Sequence, residues 1–248
     1  MTTPLPTTGR PLRRRRNLLV VLAVLVLAGV AAGGFGAWYI LIGLPGPSAA
    51  AAVIPPAASV PAPASFDGTW QVNDSLGSMS DFTASWVGYR VQEQLAGIGG
   101  HTAVGRTPKI TGSLTLAGST VSAASITADL TVLASDSAQR DDQLRRQAIQ
   151  TDAFPTANFT LTQPIALGSL PADGTTVSAT ATGNLTIHGV TKSVQISIQA
   201  QRKGGVIAVA GSIPIVFGDY GFQGPSSFAV VSVNDHGTME LHVLFTHA

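Results

Sequence analysis

Residues 183–198 read GNLTIHGVTKSVQISI. Leu185 and Ile187 alternate with Asn184, Thr186 and His188. After the segment Gly189-Val190-Thr191-Lys192, the residues Val194, Ile196 and Ile198 alternate with Gln195, Ser197 and Gln199. A period of two sends one set of side chains to each face of a strand, so each run has an apolar face and a wet one. Two such runs on either side of a glycine-containing turn predict an antiparallel hairpin with one face buried.

The same texture continues in both directions. Ile126, Ala128, Leu130 and Val132 alternate with Ser125, Thr127, Asp129 and Thr131, and Leu241, Val243 and Phe245 repeat the pattern further on. Short runs bounded by Gly, Pro, Asn and Asp predict strands over 69–73, 84–92, 109–116, 121–133, 156–162, 177–188, 193–201, 206–216, 227–233 and 239–246. That density of strands and turns makes the region 66–248 an all-β, antiparallel barrel or sandwich. One segment breaks the pattern: residues 136–150, DSAQRDDQLRRQAIQ. Asp136 followed by Gln139 resembles a capping box, and Asp141 with Arg145 and Asp142 with Arg146 have the spacing of favourable pairs on one helix face. A short inserted helix is expected there. Pro155 forbids its continuation and holds Phe154 extended.

Upstream, the composition changes. Residues 18–44, beginning at Leu18 and ending at Leu44, carry no charge, and Arg13, Arg14, Arg15 and Arg16 stand just before them. A stretch of that length can cross a hydrocarbon core as a helix, and the arginines would keep its N-terminal side in the cytoplasm. A cleaved signal peptide is the alternative, although its apolar region is normally shorter. Residues 45–65, rich in Pro and Ala, read as a semi-rigid linker. The expected organisation is a basic cytoplasmic tail 1–17, a membrane anchor 18–44, a linker 45–65 and an extracytoplasmic barrel 66–248.

Charged residues make up 11% of the chain and the formal net charge is +1. Much of the positive charge precedes the apolar stretch, so nucleic acid is not an expected partner. Cysteine is absent, which excludes disulfides, thiolate metal sites and a Cys nucleophile. His101, His188, His236, His242 and His247 form no metal-binding spacing, and no Gly-x-Ser-x-Gly elbow occurs. No metal, no cofactor and no enzymatic activity are expected. His242, opposite Leu241 and Val243 in parity, reads as a solvated strand residue. For an enzyme, Arg90 and Asp219 are the charges that would have to converge inside the barrel.

Arg140, Asp141, Leu144 and Arg145, then Phe154, Pro155 and Phe159, together with the hairpin Gly183 to Ile198, resemble the YceI-like family. Members of that family are lipocalin-like barrels associated with binding polyisoprenoid lipids. The chain departs from the family in the segment after Val72, where the usual Asp-x-x-His-Ser element is missing and Ser85 to Arg90 takes up the second strand. The resemblance implies an antiparallel lipocalin-like barrel with one short inserted helix. It also implies a polyisoprenoid-like partner held inside.

On the residues alone, an eight-stranded barrel is just wide enough to be filled by side chains or to hold a small ligand. Ala128, Ala179, Ala181, Gly183 and Ala208 are small residues expected to point inward, which leaves space for an apolar chain. The expected ligand-binding set is Val87, Tyr89, Ile126, Leu130, Leu144, Ile149, Phe154, Phe159, Leu185, Ile187 and Phe217. The competing picture is a surface helix whose charges pair locally, with Leu144 and Ile149 packed on a filled barrel. Such a barrel would act as an adhesion or scaffold module through exposed aromatics, with Trp86, Tyr220 and Phe222 as the candidates.

Overall fold

The alternating runs form long antiparallel strands. In the structure, a computed structural model, residues 60–97, 99–225 and 230–248 are described. The tail, the apolar stretch 18–44 and linker residues 45–59 lie outside the described residues. Among the described residues no helix is long and apolar enough to cross a membrane.

The strands are β1 (Gly68–Val72), β2 (Trp86–Leu95), β3 (Gly99–Thr107), β4 (Ile110–Ala117), β5 (Thr120–Asp129), β6 (Ala134–Ser135) and β7 (Thr156–Leu161). They continue as β8 (Ile165–Ala166), β9 (Thr176–Ile187), β10 (Val190–Lys203), β11 (Val206–Val216), β12 (Val230–Val233) and β13 (His236–His247). The helix α1 (Ala138–Gln143) runs on through a π turn, Leu144–Ala148, between β6 and β7. Eight strands pair in the order β1, β4, β5, β7, β9, β10, β11, β13, and the ring closes where β13 returns to β1. Closure removes the edges of this eight-stranded ring, while β2 and β3 branch from it at β13.

The β9–β10 hairpin forms in the expected register, with Leu185 opposite Lys192 and Ile196 opposite Ala181. Its turn is tighter than the sequence suggests. His188 (φ 51°) and Gly189 (φ 73°) are its corner, and Val190 already belongs to β10. Two positive φ values match the right-handed twist of the flanking strands, and glycine meets that demand at no steric cost.

β13 forks. Its first half pairs β2, with Met239 opposite Tyr89, and its end pairs β1, with Phe245 opposite Val72. At the fork the ladder is completed by the loop between β1 and β2: Leu244 N donates to Ser85 Oγ at 3.0 Å, and Asn73 N donates to Leu244 O at 2.8 Å. Buried backbone groups need such partners. The same loop covers the outer face of β13, so His242 is fully buried and donates from Nδ1 to Ala84 O at 2.8 Å. This corrects the expectation of a solvated histidine, because parity says which face a residue takes and not what covers that face.

Other expectations change for similar reasons. Ala208 is buried on the outer face, with Val206, Leu244, Val60 and Leu76 around it, and not in the lumen. The run expected over 121–133 leaves the ladder at Asp129, since Leu130 N turns to Pro155 O, and Val132 is exposed. β3 was not expected, because its Gly-rich start reads as loop. The helix cap is Ser137, whose hydroxyl accepts from Arg140 N at 3.3 Å, and not Asp136. Asp142 does pair with Arg146, whereas Asp141 accepts from Ser135 N and Oγ.

Candidate functional site

The inward faces of the strands leave two contiguous cavities along the barrel. The first, about 160 Å³, lies between β4, β5, β9 and β10 and is walled by residues such as Leu114, Ile126, Ala179 and Ile198. The second, about 120 Å³, lies beneath α1, between Val91, Leu130, Ile149 and Phe217. Val87, Ala157 and Met239 belong to both walls and stand between the two cavities. A cavity of about 150 Å³ lined by aliphatic and aromatic groups stays dry and accepts a benzene-sized apolar guest. Each half therefore suits an apolar group of that size, and the two together suit a chain on the order of a dozen carbon atoms.

The expected ligand-binding residues distribute along this lumen. Val87, Ile126, Phe159 and Leu185 line the first cavity. Tyr89, Leu130, Leu144, Ile149, Ile187 and Phe217 line the second, with Val87 shared. Phe154 does not reach either one. Its ring lies 4.2 Å from the His188 imidazole and against Gly189, on the hairpin turn, because Pro155 carries the chain into β7 before the side chain can turn inward.

Ala128, Ala179 and Ala181 line the first cavity, as their size and parity suggest. Gly183 works differently. A Cβ there would stand 2.6 Å from Phe159 Cε2, so the missing side chain makes room for the phenyl ring.

The charges inside the barrel are not those anticipated. Arg90 projects outward and donates to Glu240 at 2.9 Å, and Asp219 is exposed near Lys192. The second cavity instead carries Glu93 and Arg140 on its wall. Their side chains are 4% and 11% exposed, and Arg140 Nη2 donates to Glu93 Oε1 at 2.6 Å. Arg140 also bonds Asp136 and Ser135 Oγ, while His101 Nδ1 meets Glu93 at 3.0 Å. Burial disfavours the Arg140 charge, but the bonds to Glu93 outweigh it and the guanidinium is held above its ordinary value.

Beside this pair stands Tyr89, whose hydroxyl is buried and has no hydrogen-bond partner among the described residues. Desolvation pushes its ionisation well above the usual range, so it remains a neutral donor. Glu93 escaped the sequence reading because the run Gln92-Glu93-Gln94 looks like an exposed strand end. The alternation of Val87, Tyr89 and Val91 extended by one step would have placed it inside.

Trp86 and Tyr220 are 2% and 3% exposed, and Phe222 packs against Phe217. Two of the three aromatics an adhesion module would present are therefore buried, and Phe222 is half-buried. Among the described residues no group of three His, Asp or Glu side chains could hold a metal ion.

The model of the YceI-like domain matches residues 78–245. No curated protein sequence matches the chain. Among solved structures it is similar to a polyisoprenoid binding domain from Saccharophagus degradans implicated in plant cell wall breakdown. The identity is 15% and the TM-score 0.54, over 73% of this chain and 99% of that one. It is also similar to BcnA of Burkholderia cenocepacia, at 20% identity and TM-score 0.49 over 64% of this chain and 95% of that one. For a YceI protein of Campylobacter jejuni the values are 16% and 0.46, over 58% and 84%. At 15% identity, the similarity to the first of these establishes the barrel architecture.

Proposed function

Because the chain belongs to the YceI-like family, we propose that its barrel holds a long apolar chain of the polyisoprenoid type, for sequestration or transport at the outer face of a membrane. The observation that carries this is the lumen itself, two adjacent cavities with mostly apolar walls. Dry apolar space is a cost to the folded protein, and a hydrocarbon that fills it recovers about 0.8 kcal/mol for each methylene buried. The solved domain from Saccharophagus degradans, which shares the fold, is described as polyisoprenoid binding. A chain longer than a dozen or so carbons displaces flexible side chains, Met239 first, since a thioether has low-energy alternatives.

In the same proposal the stretch 18–44 anchors the chain in the membrane with its N-terminus in the cytoplasm, and the linker 45–65 holds the barrel outside. The basic residues before the stretch support that orientation. Catalysis forms no part of the role. A filled barrel acting as a scaffold is less well supported, because the interior contains cavities and, of the aromatics that would make contacts, Trp86 and Tyr220 are buried and Phe222 is half-buried.

The test is to purify the full-length chain from membranes, confirm its folded mass by native mass spectrometry and analyse its organic extract. One isoprenoid or comparably apolar lipid per chain is the expected result. A chain that is consistently empty, and stays empty when offered such lipids, would overturn the proposal.

A further inference from the structure

We infer that the α1 end of the lumen is a head-group site, in which Tyr89 Oη beside the Arg140–Glu93 pair binds an uncharged oxygen, a hydroxyl or carbonyl, at the end of an apolar chain. The inference rests on the lumen being a lipid site and adds the chemistry of the ligand's polar end.

Three observations support it. Tyr89 lines the second cavity, and its buried hydroxyl has no partner among the described residues. The neighbouring hydroxyl of Ser135 is already committed: it donates to Asp141 at 2.6 Å and accepts from Ser137 N and Arg140 Nη1. A buried donor without an acceptor is a penalty that a ligand oxygen removes on binding. The first cavity also has polar residues on its wall, but they are tied to neighbours: Asn158 to Thr127 and Thr156, Gln201 to Gly174 O and Thr176, and Arg202 to Asp173 and Pro171 O.

The charge balance then selects the type of oxygen. Among the described residues lining the second cavity Arg140 is the one cation, and Glu93 holds it from inside while Asp136 holds it from outside. Asp141 adds a further carboxylate beside Ser135. A phosphate would bring about −1.5 to −2 charges to a place where carboxylates already outnumber the guanidinium. An alcohol or carbonyl brings none, and it can accept from Tyr89 without disturbing the pair.

The experiment offers the full-length chain equal concentrations of farnesol, farnesyl monophosphate and the hydrocarbon farnesene, and reads occupancy by native mass spectrometry. Farnesol should exceed farnesene by about three- to tenfold, the range of one net hydrogen bond, with farnesyl monophosphate the weakest of the three. Tyr89→Phe keeps the ring and should bring farnesol down to the level of farnesene without weakening farnesene. Equal binding of farnesol and farnesene by the unaltered chain, tightest binding of the phosphate, or an unchanged preference in Tyr89→Phe would each overturn the head-group assignment while leaving the lumen as a lipid site. Failure of all three probes to bind would instead remove the lipid site itself, and the inference with it.

Discussion

Tyr89 and Gly105 face each other across β2 and β3, and a Cβ on residue 105 would lie 2.8 Å from Tyr89 Cζ and 2.9 Å from its hydroxyl oxygen. The ring occupies the space the glycine leaves free. A glycine paired with an aromatic in this way fixes the ring against the sheet, and here it aims the hydroxyl beneath α1. The same device recurs at Gly183, which admits the Phe159 ring. Two missing side chains thus shape both halves of the lumen.

Gly105→Ala should therefore destabilise the fold by about 1–3 kcal/mol, the usual cost of forcing a methyl into a packed site. Urea denaturation would show it as a lower midpoint with an unchanged slope. The displaced Tyr89 should also lose its preference for an oxygen-bearing ligand.

The residues between the two cavities give a second outcome. Met239→Trp should separate the two cavities and reduce occupancy by a chain that needs both, whereas Met239→Leu, close in volume, should bind nearly as the unaltered chain does and cost under about 1.5 kcal/mol. Native mass spectrometry of folded protein after exposure to farnesol checks it.

Breaking the interior pair should be expensive. Glu93→Gln leaves Arg140 buried without its inner carboxylate, and losing one partner of a buried pair costs about 3–5 kcal/mol. Asp136 stays on the outer side of the guanidinium and brings the expected loss to the lower end of that range. Hydrogen exchange should show faster opening across α1 and the following π turn than elsewhere in the barrel.

His242 carries a pH dependence. Burial, reinforced by the Arg106 charge and opposed by the hydrogen bond to Ala84, holds the imidazole below its ordinary value. The folded protein keeps it neutral, while the unfolded chain takes up a proton as the pH falls through about 6.5. This contribution is complete above that pH and is lost progressively below it, down to the folded-state value. Between pH 7.5 and 5.5 the melting temperature of the unaltered chain should fall more than that of His242→Asn, and parallel curves would contradict the assignment.

Much of the barrel was legible in the residues. The alternations around Ile126, Ile196 and Val243 gave strands and inward faces, because a half-buried strand records its sidedness in every second residue. What covers the outward face left no such record. The burial of His242 and Ala208 depends on the loop between β1 and β2 and on residues near Val60, which meet them only in three dimensions. The candidate site was legible where it is aliphatic and obscure where it is polar. Glu93 and Arg140 look like surface charges until the pairing of β2 and the placing of α1 bring them together. Phe154 shows the opposite failure, an apolar residue beside the helix that packs on a turn instead of in the lumen.

The most direct test of the continuous apolar lumen is a crystal structure of the protein with a brominated isoprenoid chain, located by the anomalous signal of bromine. The account predicts bromine within the barrel and unbroken ligand density from the Ile198 side, past Met239, to Tyr89. Bromine found only on the outer surface, with side chains closing the space between Ile126 and Tyr89, would contradict it.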